Sequence, residues 1–242
     1  LNKELNKDSS LEILKKMAST INHRGPDDEG YFIHPENGVA LAHKRLSIID
    51  LSKQGAQPMT SNSGRYIIVF NGEIYNYVEL KKKYLYGKYN LSGSSDTEVL
   101  LALIETYGFY KAINFCYGMF AFALYDKNEN KLILARDSAG EKPLYYGWIN
   151  NIFIFASEIK ALKAHPLWNK NINQLALKNF VEYNYIPTPL SIYENIYKLE
   201  ANTVISVSLH NTSSIELKNI IDKNLHLKNL NSKKSYEDYI KI

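Results

Sequence analysis

The chain has 242 residues, which suits one large domain or one domain with part of another. With 45% hydrophobic and 22% charged residues, its composition is that of an ordinary globular protein with a sizeable core. The net charge of +4 does not indicate nucleic acid, no apolar stretch reaches membrane-spanning length, and the single cysteine excludes a disulfide framework and a CxxC metal site. We therefore expect no nucleic-acid or membrane partner, no metal site and a cytoplasmic location.

The first predicted elements are a helix and three short strands. Apolar residues recur at helical spacing between Ser9 and Ile21, and Ser9 with Glu12 matches a capping box. Strands are predicted at residues 39–42, 46–51 and 66–70. The third strand runs into Asn-Gly, a pair that commonly forms a tight turn, and Glu73 follows this pair directly.

A second helix and two hairpins follow. The helix is predicted from about Thr97 to Tyr107, with Ser95 and Glu98 as its capping box. The strands of the hairpins are predicted at residues 119–126, 131–137, 143–148 and 152–157. Residues 119–125 are almost all apolar, which predicts a strand covered on both faces. This order of elements predicts an α+β fold in which antiparallel sheets are layered with helices.

The composition changes after Ala161. Two prolines precede a short strand pattern at residues 204–209, and from Asn211 onward the chain is rich in Asn, Lys and Ser. We interpret residues 1–208 as one domain, and residues 209–242 as a linker and lead-in to a further domain.

Asn71 and Gly72 are the first candidates for chemistry. A side-chain amide and a neighbouring backbone N–H can converge on one point, which is how an oxyanion is stabilised in acyl transfer. Glycine also lets a substrate approach the backbone closely. The competing interpretation is a plain turn, which is what most Asn-Gly pairs form.

Arg45 and Asp96 are candidates for binding opposite charges. Arg45 could grip a carboxylate in a bidentate fork, although a surface ion pair with Asp50 or another acid is favoured by its local sequence. Asp96 could receive an ammonium group, although aspartate is common in the first turn of a helix because it favours the positive end of the dipole.

Two other features carry weaker signals. The segment HRGPDDEG, residues 23–30, mixes histidine and acids but matches no defined ligand spacing, so a structured turn is favoured. Cys116 precedes the most apolar strand, where a free cysteine is more often a small buried hydrophobe than a nucleophile.

The order of the motifs is more specific than any one of them. In chain order they are HRGPDDEG (23–30), LAHKRLSIIDLSKQGAQPM (41–59), VFNGEIYN (69–76), SSDTEVLL (94–101), GMFAFALYD (118–126), LARDSAGEKPLYYG (134–147) and FASEIKAL (155–162). This series resembles the glutaminase domain of class II glutamine amidotransferases, and most of all the asparagine synthetase (glutamine-hydrolysing) branch. The resemblance covers about residues 20–165 and continues more weakly to about residue 208.

The resemblance implies the fold of the N-terminal-nucleophile hydrolases, a four-layer αββα sandwich with antiparallel sheets between helical layers. It implies that Asn71 and Gly72 form an oxyanion hole. It also implies that Arg45 holds the α-carboxylate of glutamine, that Asp96 holds the α-ammonium group, and that Glu73 contacts the same end of the amino acid.

The chemistry implied by the resemblance is hydrolysis of glutamine to glutamate and ammonia, with an N-terminal cysteine as nucleophile and its own α-amino group as base. That cysteine and its strand are not among residues 1–242, and Cys116 does not match its position. Ser138 stands where the family often has a basic residue. A glutamine-binding or regulatory module without catalysis is therefore the alternative function.

The residues of this chain do not identify the acceptor of the ammonia. In the family, a C-terminal synthetase domain of the same polypeptide uses ATP and Mg²⁺ to form an amide on aspartate, and no Ser-Gly-Gly-rich loop occurs before Ile242. We expect no cofactor in this chain, and ATP with Mg²⁺ in the synthetase domain. Aspartate is the expected acceptor, and another carboxylate, such as a surface-polysaccharide sugar, is the alternative. The resemblance is also compatible with a homodimer.

Overall fold

The computed structural model describes residues 7–209 and 215–220. In these ranges the helices are α1 (Lys7–Ser19), α2 (Tyr77–Leu80), α3 (Asp96–Tyr107), α4 (Phe109–Phe115), α5 (Ile159–Lys163) and α6 (Gln174–Tyr183). The strands are β1 (Asp28–His34), β2 (Val39–Arg45), β3 (Met59–Thr60), β4 (Tyr66–Ile74), β5 (Gly118–Asp126), β6 (Lys131–Arg136), β7 (Tyr145–Ile149), β8 (Ile152–Ala156), β9 (Ile196–Lys198), β10 (Thr203–Ser208) and β11 (Ile215–Asn219).

The strands form two layers of antiparallel sheet. One layer is a six-stranded sheet in the order β11-β10-β6-β5-β4-β3, and the other contains the sheet β8-β7-β9 and the hairpin β1-β2. Helices α3 and α4 pack on the outer face of the six-stranded sheet, whereas α1 and α5 pack on the outer face of the other layer. The predicted four-layer αββα arrangement is confirmed.

The central strands β4 and β5 carry long apolar runs because each lies between two hydrophobic cores. On β4, Ile68 and Phe70 belong to the core that faces α3, whereas Ile67 and Val69 belong to the core between the two sheet layers. The neighbouring β5 is buried without interruption over residues 120–126, as its sequence predicts. Since successive side chains point to opposite faces, a strand between two cores must be apolar on both.

Ser95 is the N-cap of helix α3, as predicted. The hydroxyl of Ser95 accepts a hydrogen bond from the backbone N–H of Glu98 at 3.1 Å. In a capping box, the carboxylate of Glu98 would accept a hydrogen bond from the backbone N–H of Ser95. It accepts instead from the N–H groups of Ser92 and Gly93, at 2.6 and 2.8 Å. This carboxylate therefore fixes the loop that precedes the helix.

Two predictions about local structure are wrong. Helix α1 is already helical at Lys7, so Ser9 lies within its first turn and is not the N-cap. Residues 46–51 form a loop and not a strand. The guanidinium of Arg45 donates hydrogen bonds to two carbonyl oxygens of the segment that follows it, and these bonds turn the chain away from the sheet.

The C-terminal part of the described chain extends the large sheet. Strand β10 confirms the strand predicted at residues 204–209. It pairs with β6 on one side and with β11 on the other. Strand β11 lies within the range predicted as a linker. Residues 209 and 220 are also described, whereas residues 210–214 and 221–242 of that range lie outside the described residues, so the domain boundary at 208 stays a prediction.

Candidate active site

The motif Asn71-Gly72-Glu73 lies within a strand. Strand β4 continues to Ile74 and is paired with β5 over its whole length, with Gly72 opposite Phe120. The interpretation of Asn-Gly as a plain turn is therefore wrong.

Glycine at position 72 is required by the neighbouring strand. A Cβ there would overlap the carbonyl oxygen of Met119 and lie 2.6 Å from the Cα of Phe120. Its φ of 157° also belongs to a region that other residues rarely adopt. The absent side chain makes room for β5, and the predicted close approach of a substrate to this backbone stays a prediction.

The backbone N–H of Gly72 points to the open edge of β4. Two residues before it, the N–H of Phe70 donates to Oε1 of Gln57 at 2.6 Å, and two residues after it, the N–H of Ile74 donates to Oδ2 of Asp96 at 2.8 Å. The residue opposite Gly72 on β5 directs its own main-chain groups toward β6. Because alternate residues of a strand direct their N–H groups to the same side, the N–H of Gly72 lies between these two donors.

One cavity of about 440 Å³ is lined by all the predicted site residues. They are Arg45, Asn71, Gly72, Glu73 and Asp96. Residue 45 ends β2, residues 71–73 lie near the end of β4, and residue 96 begins α3. The fold therefore brings together three chain segments that are far apart in sequence, and the roles assigned to their side chains stay predictions.

Arg45 is a buried cation in this cavity, with 8% of its surface exposed. Its guanidinium donates to the carbonyl oxygen of Ser52 at 3.0 Å and to that of Asp50. The ion pairs in the described part of the chain involve other side chains. The predicted pair with the carboxylate of Asp50 is therefore not formed, and the charge of Arg45 has no carboxylate partner within the described ranges.

Asp96 is a buried anion in the same cavity, with 4% of its surface exposed. One carboxylate oxygen accepts from the N–H of Ile74, and the other accepts from its neighbour Thr97, both at 2.8 Å. No described cation pairs with it. Burial raises the pKa of this carboxyl, and the nearby Glu73 raises it further. A cationic ligand group would relieve both effects.

Two buried polar atoms at the cavity lack a hydrogen-bond partner among the described residues, Nδ2 of Asn71 and Nδ1 of His43. Nε2 of His43 lies 3.0 Å from the carbonyl oxygen of Phe70 and must donate to it, which leaves Nδ1 as an acceptor. Burial lowers the pKa of His43 to about 4, so the ring is neutral at pH 7. The side chains of Asn71 and His43 thus offer the cavity one free donor and one free acceptor.

A second, apolar cavity of about 260 Å³ adjoins the first. It is lined by β2 on one side and β8 on the other, two strands that belong to separate sheets of the same layer. The residues that line both cavities are Arg24, His43, Lys44, Phe70 and Asn71. The two free polar atoms therefore lie where the cavities meet.

The surroundings of Cys116 are those of a structural residue. It lines neither cavity, and its Sγ donates to the carbonyl oxygen of Ala112 at 3.3 Å. Burial raises the pKa of its thiol to about 12, so almost no thiolate is present at pH 7. Ser138 is exposed, and nothing in the structure explains the difference at this position.

In the segment 23–30, residues 23–27 form a structured turn, as favoured from the sequence, and residues 28–30 already belong to β1. His23 and Arg24 both bond to the carboxylate of Glu158, at 3.0 and 3.1 Å. No cluster of three or more His, Cys, Asp or Glu suitable for a metal occurs among the described residues. No helix of the described part is long and apolar enough to cross a membrane.

The side chains of the cavity that were not predicted as site residues include His43, Asp50 and Gln57. His43 shares a face of β2 with Arg45, so strand alternation was a usable signal. Gln57 bonds to both main-chain groups of Phe70 across a loop, which no local pattern predicts.

The burial of His43 predicts acid sensitivity. The unfolded chain takes up a proton near the ordinary pKa of about 6.5, whereas the folded protein does not until about pH 4, so stability falls as the pH drops between these values. Arg45 opposes protonation and Asp28 favours it. Between pH 7 and 5, wild type should lose about 2 kcal/mol more free energy of unfolding than the variant His43→Gln.

Denaturant titrations of both proteins at the two pH values check this prediction. His165, whose pKa burial also lowers, is present in both proteins and cancels in the comparison. Asp50 and Glu158, with pKa values of about 2, lose their stabilising effect only at lower pH. Equal losses in wild type and variant would show that His43 titrates normally.

The sequence and the fold are those of one known class of domain. The sequence matches the family described as glutamine amidotransferase domain over residues 2–218, and the chain belongs to this family. Two proteins of Bacillus subtilis (strain 168), named asparagine synthetase (glutamine-hydrolyzing) 1 and 2, are 41% identical over 198 residues and 39% identical over 206 residues. These matches cover 81% and 83% of this chain but 30% and 27% of the relatives.

A solved structure supports the fold independently. The glutamine phosphoribosylpyrophosphate amidotransferase of Bacillus subtilis, in complex with ADP and GMP, matches with a TM-score of 0.63. The match covers 87% of this chain and 46% of that chain at 17% identity. At this identity the likeness concerns the architecture alone.

Proposed function

We propose that the chain is the glutamine-hydrolysing domain of an asparagine-synthetase-like enzyme. The observation that carries the proposal is a buried cation and a buried anion, Arg45 and Asp96, that line one cavity without an ionic partner among the described residues. Burying an unpaired charge is costly, so such a site suits a ligand that brings both opposite charges. A free α-amino acid is such a ligand.

The free donor of Asn71 selects the side chain of that amino acid. With the α-carboxylate at Arg45 and the α-ammonium group at Asp96 and Glu73, the side chain extends toward residues 71 and 72. There Nδ2 of Asn71 and the N–H of Gly72 donate to the carboxamide oxygen of glutamine. As this oxygen becomes an oxyanion, both hydrogen bonds strengthen, which lowers the barrier.

The reaction needs a thiol that residues 1–242 do not place in the cavity. We propose a cysteine on a strand that precedes Leu1 and fills the apolar cavity between β2 and β8, next to Asn71. Its α-amino group, with an ordinary pKa of about 7.7–8.0, takes the thiol proton. The thiolate sulfur bonds to the carboxamide carbon, the C–N bond breaks, and the amide nitrogen leaves as ammonia with that proton. Water then cleaves the thioester to glutamate and restores the thiol.

The names of the relatives support a proposal that the ammonia is used to make asparagine. In the full-length protein, a C-terminal synthetase domain with ATP and Mg²⁺ would use it to form an amide on aspartate.

The test is a glutaminase assay on the full-length protein. Glutamate should form from L-glutamine, and asparagine should form only when aspartate, ATP and Mg²⁺ are also present. Glutamate without asparagine would redirect the proposal to another carboxylate acceptor. Calorimetric binding of glutamine without glutamate release would identify a non-catalytic glutamine-binding module, and the absence of both would contradict the proposed site.

A further inference from the structure

The two charged side chains of the cavity each adjoin a different loop. Arg45 ends β2 and is followed by the loop 46–57, whereas Asp96 begins α3 and is preceded by the loop 91–95. The affinity of a ligand that bridges Arg45 and Asp96 therefore depends on how these two loops are held relative to each other.

The carboxylate of Asp50 joins the two loops. Oδ1 accepts from the N–H and the hydroxyl of Ser52 at 2.8 and 2.6 Å, within its own loop. Oδ2 accepts from the N–H and the hydroxyl of Ser94 at 2.9 and 3.3 Å, in the other loop. These bonds lower the pKa of Asp50 to about 2, so the carboxylate is charged at every pH at which the protein would be assayed.

Asp50 is also connected to both charged side chains. Its carbonyl oxygen accepts a hydrogen bond from the guanidinium of Arg45. On the other side, Ser94 lies two residues before Asp96, and the intervening Ser95 caps α3. A continuous chain of hydrogen bonds and short backbone segments thus runs from the cation to the anion through one carboxylate.

The packing around this connection leaves little space. A Cβ at Gly55 would lie 3.1 Å from Cζ of Arg45 and 3.2 Å from Cβ of Asp50. A Cβ at Gly93 would lie 2.8 Å from Oδ2 of Asp50. Both loops therefore approach Asp50 at positions that hold glycine, and the connection is tightly packed from both sides.

We infer that Asp50 is a positioning residue that sets the separation between the guanidinium of Arg45 and the carboxylate of Asp96. Through this separation it selects ligands that carry a carboxylate and an ammonium group on the same carbon. The inference rests on the proposed glutamine site. Asp50 need not touch the ligand, because it acts through the two side chains that do.

The test compares ligands that use both ends of the site with ligands that use one. L-Glutamine uses both, 4-carbamoylbutanoate lacks the ammonium group, and 4-aminobutanamide lacks the carboxylate. In Asp50→Asn, the amide cannot accept from both loops, so the affinity for L-glutamine should fall about tenfold or more. The affinities for the two analogues should change much less, because each needs only one end.

The measurement is calorimetric titration of the full-length protein and its variants with each ligand, and circular dichroism confirms folding. All of these proteins carry alanine in place of the proposed cysteine, so that glutamine binds but is not hydrolysed. Asp126→Asn is the matched control, since Asp126 is a buried carboxylate that bonds to Arg65 and to a turn but does not line the cavity. It should leave all three affinities unchanged. Gly93→Ala, which crowds Oδ2 of Asp50 without removing the carboxylate, should reduce the preference for L-glutamine in the same direction.

Two results would overturn the inference. One is an equal loss of affinity for all three ligands in Asp50→Asn, which would indicate general damage to the site, and the other is an unchanged preference for L-glutamine. If the wild-type protein binds none of the three ligands, the proposed glutamine site itself fails, which is a separate and recognisable outcome.

Discussion

Replacing Asn71 by alanine should lower kcat for glutamine hydrolysis by the full-length protein about 10²–10³-fold, with a much smaller change in KM. The reason is that Nδ2 of Asn71 is buried without a partner among the described residues and borders the position expected for the carboxamide. Its hydrogen bond would gain most when negative charge develops on the oxygen, so the loss falls on the transition state. Steady-state kinetics of glutamate release measure both constants.

Asn76→Ala is the control for this prediction. The amide of Asn76 is satisfied by the backbone, since Nδ2 donates to Phe115 at 2.9 Å and Oδ1 accepts from Tyr117 at 3.0 Å. Its loss should reduce stability but leave kcat within about twofold, because it lines neither cavity. Equal kcat values for the two variants would remove Asn71 from the oxyanion site.

Asp96→Asn should raise the KM for glutamine by about 30-fold or more, because it leaves the buried ammonium group of the ligand without its counter-charge. The amide can still accept one of the two backbone hydrogen bonds made by Asp96, which limits the damage to the fold. The variant should also change the pH dependence. In wild type, affinity should fall as the pH drops through the raised pKa of Asp96, and this dependence should disappear in the variant.

Kinetics of glutamate release measure KM. Calorimetric glutamine titrations at several pH values measure the affinity, in proteins whose proposed cysteine is replaced by alanine so that glutamine is not hydrolysed. The variant Asp126→Asn, altered at a buried carboxylate outside the cavity, should keep the wild-type affinity and its pH dependence. Unchanged glutamine affinity in Asp96→Asn would show that the ammonium group lies elsewhere.

Much of the fold could be predicted because its central elements carry strong local patterns. The continuous apolar run of β5 predicts a strand that is buried on both faces, and the helical spacing of apolar residues in α3 predicts a helix with a buried face; the structure shows both. The predictions failed where tertiary contacts override local preference. Asn71-Gly72 is held in a strand by its pairing with β5, and residues 46–51 are held in a loop by the guanidinium of Arg45.

The site could be predicted only in part for the same reason. The order of motifs, and not the spacing of any pair, connected Arg45, Asn71 and Asp96, which lie on three separate segments. Asp50 was missed because its role depends on a hydrogen bond from the distant residue Ser94. His43 was missed because its role depends on the lack of a partner for Nδ1 among the described residues. A burial pattern can suggest that a polar side chain faces inward, but not that its partner is missing.

The most direct test of the central claim is a crystal structure of the full-length protein, with the proposed cysteine replaced by alanine, in complex with L-glutamine. The structure should show the α-carboxylate bonded to the guanidinium of Arg45, the α-ammonium group bonded to Asp96, and the carboxamide oxygen within hydrogen-bond distance of Nδ2 of Asn71. Glutamine bound at another place, or bound here with its two ends reversed, would contradict the account.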